Sequence, residues 1–275
     1  MKTFRHIALA LAFLLALSCT KEVQPEHNDE TITVQYGVAV DTPTKTLGDG
    51  KTATHVWYAL YRADESLVSE CAAPAKIDVV TGKAICPVTM AKDQDYKVVF
   101  LAMYYDVDGQ TKTPAYEIKA QDKTVSMPST ALANSDKFDL FYGVDDVEDF
   151  QGTQSTNVTL NRVVAQVNFE ISETAWTALS VNSDFQSKIR ISGAPASMNI
   201  WDGALGVAAP VIYAKTQIPA EGTKIGTAYC FASSTGDQRV DASISLYNAA
   251  GREVKTASAT AVPVATNKQT NLIIN

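Results

Sequence analysis

Residues 31–40 read Thr31-Ile32-Thr33-Val34-Gln35-Tyr36-Gly37-Val38-Ala39-Val40 and alternate without a break. Ile32, Val34, Tyr36, Val38 and Val40 fall on one face, with Thr31, Thr33, Gln35, Gly37 and Ala39 on the other. A period of two held over ten residues predicts a strand buried on one side. The same signal recurs at His55 to Arg62, Ser66 to Cys71, Lys83 to Val88 and Tyr96 to Tyr105, with turn chemistry such as Asp106-Val107-Asp108-Gly109 between strands. In the second half, Leu160 to Ile171 predicts one continuous strand. Val163, Ala165, Val167, Phe169 and Ile171 would face inward, and Arg162, Gln166, Asn168 and Glu170 outward. Val240, Ala242, Ile244 and Leu246 lead into Asn248-Ala249-Ala250-Gly251, a hairpin turn. Short strands at this spacing predict all-β, antiparallel sandwiches, with one short helix at Glu173 to Val181 as the exception.

Working outward to the N-terminus, Lys2 and Arg5 precede an apolar run from Ile7 to Leu17, then Ser18 and Cys19. A basic head, a run too short to span a bilayer and a small residue at the cut predict a secretory leader over residues 1–18. Ala16-Leu17-Ser18-Cys19 is similar to the lipobox at which bacterial lipoproteins are cut and acylated, with Ala16 where Leu is usual. Cys19 is the expected lipidation site, the alternative being an ordinary signal peptide with an incidental cysteine. Two or three acyl chains would hold the protein firmly, at about 0.8 kcal/mol per buried methylene. Residues 19–30 are polar and charged and read as a flexible tether. After the strand, Asp41 to Gly50 is a run of turn formers and small polar residues that should lie exposed, so a protease would reach Lys45.

The chain has 275 residues, 46% hydrophobic and 19% charged, with a net charge of −7. Without the leader the net charge is −9. That composition describes a globular protein and offers no basic footprint for nucleic acid. Gln151 to Asn157 lacks any apolar residue and divides the mature part in two, predicting domains at residues 31–152 and 153–275.

Chemistry-bearing residues do not converge in the sequence. Asp145, Asp146, Glu148 and Asp149 form the densest acidic cluster, yet they lack the glycine and the alternation of a calcium loop and read as a solvated loop. His55 stands in a strand without a second histidine or cysteine at metal spacing, and no Gly-x-Ser-x-Gly elbow or phosphate loop occurs. No catalytic residue, metal or cofactor is therefore assigned. Cys71 and Cys86 lie on neighbouring predicted strands. Either they form a disulfide, worth roughly 3 kcal/mol in the chain-entropy model, or they are two buried thiols; Cys230 reads as a core residue.

Several segments together resemble the fimbrillin family, the subunits, tips and anchors of type V fimbriae and their lipoprotein relatives. They are Asn157 to Phe169 (NVTLNRVVAQVNF), Phe141-Tyr142-Gly143, Thr44 to Gly50, Tyr96 to Met103 (YKVVFLAM) and the lipobox, in the expected order. The resemblance implies two tandem transthyretin-like sandwiches, carried to the outer membrane by a lipid anchor and displayed on the cell surface. It further implies proteolytic removal of the first strand, here Thr31 to Val40, and its replacement by a strand from another fimbrial subunit. No arginine lies between Cys19 and Tyr61, so the basic cut sites in the loop are Lys45 and Lys51. Thr270 to Ile274 reads as the last strand of the second domain, and stalk, tip and anchor roles stay open. The alternative is a monomeric surface lipoprotein that binds a glycan or a host protein, with Trp176 and Trp201 as candidate platforms, although buried core residues are the commoner reading of a tryptophan.

Overall fold

A computed structural model describes residues 30–41, 52–129, 131–153, 157–219 and 223–275. Cys19, Lys45 and Lys51 lie outside the described residues. Up to Arg162 the strands are β1 (Thr31–Val40), β2 (His55–Arg62), β3 (Leu67–Glu70), β4 (Ala75–Lys76), β5 (Lys83–Ala91), β6 (Tyr96–Met103), β7 (Tyr105–Asp108), β8 (Thr111–Pro114), β9 (Glu117–Lys119), β10 (Thr124–Ser126), β11 (Leu140–Val147) and β12 (Asn157–Arg162). Then follow β13 (Val164–Ile171), helix α1 (Glu173–Ala178), β14 (Gln186–Ser192), β15 (Ser197–Asn199), β16 (Val211–Ile212), β17 (Thr216–Gln217), β18 (Lys224–Phe231), β19 (Arg239–Tyr247), β20 (Glu253–Pro263) and β21 (Gln269–Ile274). The chain is all-β apart from short pieces such as α1, whose start Ser172 caps (its Oγ accepts from Ala175 N–H at 3.4 Å) and whose Ala175 and Trp176 are half-buried against the core.

One connectivity occurs twice. In the first sheet the order is β3-β2-β6-β11-β12-β1-β5, so β1 lies between β5, antiparallel, and β12, parallel. Later, β13 lies between β18, antiparallel, and β21, parallel. Likewise β2-β6-β11 is matched by β14-β19-β20. The first sheet folds over on itself: Tyr36 and Val38 of β1 and Cys86 and Met90 of β5 share a core with Val56, Leu60, Val98 and Phe100 of β2 and β6. The opposite face of β2 and β6, with Trp57, Tyr61, Leu101 and Met103, joins a larger core that includes Phe169, Ile189, Phe231 and Ile244. β6 is therefore buried on both faces, and all of its residues but Lys97 are buried.

Two sequence expectations change here. Leu160 to Ile171 is not one strand, since it breaks at Val163, where the chain leaves the first sheet for β13. Residues 157–162 thus pair within the first sheet, although they follow Gly152. Nor are Arg162, Gln166 and Asn168 outward, being 4%, 6% and 0% exposed. Asn168 donates to Asn271 Oδ1 at 3.0 Å and accepts from Thr227 Oγ1 at 2.9 Å, while Asn134 Oδ1 accepts from Thr227 N–H at 2.8 Å. The polar side of β13 is covered by chain, and its amides are satisfied there instead of by water.

Candidate functional site

The site follows from the seat of β1. Nine residue pairs join it to β5, from Thr31↔Ala91 to Ala39↔Lys83. On the other side it meets β12 only over Gly37↔Asn157 to Val40↔Leu160, and Asp41 N–H extends that edge to Leu160 C=O at 2.9 Å. The five side chains of the alternating face all pack into one core. Tyr36 is 0%, Val38 1% and Val34 7% exposed, with Ile32 and Val40 half-buried against the same cluster. The Tyr36 ring lies 5.3 Å from Phe100, and its hydroxyl donates to Asp145 Oδ2 at 3.0 Å. Burial, then the Asp145 charge, pushes the Tyr36 phenol well above its ordinary range, so it remains a neutral donor. At the other end, Gly152 has φ +93°, and a Cβ there would stand 2.6 Å from Ile32 Cδ1. Glycine lets that segment close over the start of β1.

Taking β1 away would expose two sheet edges and a slot shaped for alternate apolar side chains. Such a slot binds an extended polypeptide by main-chain pairing, with side-chain pockets setting the sequence.

The other residues singled out in the sequence do not gather at this seat. His55 is 4% exposed; its Nδ1 lies 3.0 Å from Thr54 Oγ1, and its ring packs on Tyr105. Burial, then Lys112 and Lys76, holds the imidazole below its usual range. Asp145 and Asp146 belong to strand β11, the first bound to Tyr36 and the second 3.2 Å from Lys97, and no metal-holding group of three side chains occurs among the described residues. Cys71, Cys86 and Cys230 are free thiols, so the Cys71–Cys86 bridge is not formed here; instead Tyr58 N–H donates to Cys71 Sγ at 3.4 Å. Trp176 and Trp201 are half-buried against the larger core. Lys97 covers the face of Trp201 at 4.3 Å, and Tyr61 meets the indole edge-on, so this ring is no open platform.

A buried ion pair escapes the strand pattern. Arg162 Nε and Nη2 donate to the two Asp139 oxygens at 2.6 and 2.7 Å, and Nη1 donates to Asn267 Oδ1 at 2.8 Å. Burial raises the Asp139 carboxyl, and the guanidinium counters part of that rise. Val158 and Leu160 carry the signal that would have found it, because their phase puts Arg162 inside.

A family model matches residues 20–273. The chain belongs to DUF6562, a family of unknown function. This DUF6562 chain is also similar in structure to a candidate polysaccharide-binding protein (DUF1812) from Bacteroides thetaiotaomicron, with a TM-score of 0.50 and 14% identity over 81% of this chain and 79% of that one. A fimbrial assembly protein from Parabacteroides distasonis gives 0.47 and 11%, over 89% and 92%. The fimbrial anchor protein Mfa2 from Porphyromonas gingivalis gives 0.41 and 14%, over 82% of each chain. No curated protein matches the sequence. At such identities the likeness concerns the fold.

Proposed function

We propose that this DUF6562 chain is a non-enzymatic structural or adhesive subunit, or an accessory protein, of cell-surface fimbriae. It consists of two tandem sandwiches held at the outer membrane through acylated Cys19. Cutting at Lys45 or Lys51 frees β1, and a strand from another subunit takes its place. The observation that carries this reading is the seat itself: β1 has strand neighbours on both sides, and its whole apolar face enters one core. A replacement with the same parity recovers both the ladder and the burial, so exchange is near neutral in free energy while an empty seat is costly. That fimbrial assembly and anchor proteins stand among the structural neighbours fits the reading.

The test compares cells with and without the gene by electron microscopy and measures the mass of the mature N-terminus. Altered surface fibres together with an acylated Cys19 are expected. Unchanged surfaces and an unlipidated N-terminus would refute the proposal. The similarity to a candidate polysaccharide-binding protein favours a second reading, a surface lipoprotein that binds glycan, with or without fibre assembly.

A further inference from the structure

The outer face of the sheet β16-β14-β19-β20 carries two adjoining depressions of 490 and 240 Å³, which share Lys188, Ile212 and Tyr247. Lys215 completes the first and Arg190, Ser243 and Ser245 the second, and no carboxylate lines either. Register explains the grouping. Lys188 stands opposite Ser245, which faces Thr256, and Arg190 stands opposite Ser243, which faces Ser258. Cross-strand neighbours lie about 5 Å apart at Cβ, so cations and hydroxyls form two parallel rows. Lys215 Nζ sits 3.7 Å from the centre of the Tyr247 ring. The carboxylates of this face stand at its edge: Glu253 accepts from Thr256 Oγ1 at 2.7 Å and also bonds Ser245 and Tyr247 at the border of the depressions, Ser245 Oγ lies 2.8 Å from Thr256 Oγ1, and Asp241 accepts from Ala261 N–H at 3.1 Å.

We infer that this face binds an acidic polysaccharide, with Lys188, Arg190 and Lys215 holding its uronate carboxylates and Ser243, Ser245 and the rim Glu253 bonding sugar hydroxyls. Three exposed cations around concave ground whose lining includes no carboxylate, on a chain with a net charge of −7, give charge complementarity to an anionic ligand. The hydroxyl rows and the rim carboxylate select a ligand rich in hydroxyl donors along its whole length, as a polysaccharide is. A protein partner would need an apolar centre, and Ile212 is the one exposed large apolar residue in the two depressions. The site does not depend on whether β1 exchanges, and failure of strand exchange leaves it untouched.

The experiment is equilibrium binding of the full mature chain to polygalacturonate, dextran and phosphatidylglycerol vesicles. Polygalacturonate should bind saturably and weaken with added salt, while dextran and vesicles should not bind. Losing the charge-assisted bonds in Lys188→Ala/Arg190→Ala should weaken polygalacturonate binding by about tenfold or more, with the thermal midpoint kept and the control Lys76→Ala, an exposed cation on β4 of the first sheet, unchanged. No binding, equal binding of dextran, preference for vesicles, or full retention by the double variant would overturn the inference.

Discussion

Tyr36→Ala separates local release of β1 from unfolding of the whole protein. The wild-type ring is fully buried, packs 5.3 Å from Phe100 and donates to Asp145. Truncating a buried aromatic to alanine costs about 3–5 kcal/mol in lost transfer energy and cavity. Losing the hydroxyl bond adds about 1 kcal/mol. If β1 opens on its own, the whole cost falls on that opening, and each 1.4 kcal/mol is about a tenfold change in its equilibrium constant. Hydrogen exchange measured by mass spectrometry should then show amides of β1 and of Lys83–Ala91 losing protection by about two powers of ten or more. Protection in β13, β14, β18 and β19 should hold. Equal loss in all strands would show that β1 leaves only when everything unfolds, and strand exchange would have no route.

Other expectations can be tested on the same protein. Arg162→Ala should cost about 3–5 kcal/mol, because it strands the buried Asp139 charge, and Arg162→Met with Asp139→Leu should recover most of it in urea unfolding; no loss in the single variant would contradict the geometry. His55 is held below its usual range, so as pH falls below about 6.5 the unfolded chain takes up a proton that the folded chain refuses, and stability drops. The fall in Tm between pH 7 and pH 5 should therefore be smaller in His55→Gln, and an equal fall would refute that role. Burial pushes the Cys86 and Cys230 thiols up to about 12, so a maleimide at pH 7.5 should label half-buried Cys71 first. The unreduced, denatured mature protein should yield all three thiols, whereas one alone would mean that Cys71 and Cys86 are bridged.

How far the sequence could be read depended on how many faces of each strand are buried. β1 and β5 each present one face to the core, so alternation marks them, and the five core-facing residues of β1 follow directly. β6 is covered on both sides and shows only an apolar run. At Val163 the chain changes sheets, which alters the meaning of phase: Arg162 belongs to the Val158–Leu160 face of β12, not to the outward face of β13. Asp139 and Asn267, which hold Arg162, are distant in sequence, and no local pattern could pair them. The polysaccharide face has the same character. Lys188 and Arg190 read as outward positions, but Lys215 and Tyr247 reach them only through the register of β14 with its neighbours.

Fimbrial assembly through β1 requires that its seat can be emptied and filled by another strand. The most direct test is to cut the mature protein with trypsin at Lys45 or Lys51, incubate it with a labelled peptide copying Thr31–Val40, and count bound peptide by native mass spectrometry. One peptide per chain should enter as the original strand leaves, while a peptide with its apolar residues shifted by one position should stay out. If the cut chain keeps its own strand indefinitely, or unfolds without admitting the copy, strand exchange at this seat is refuted.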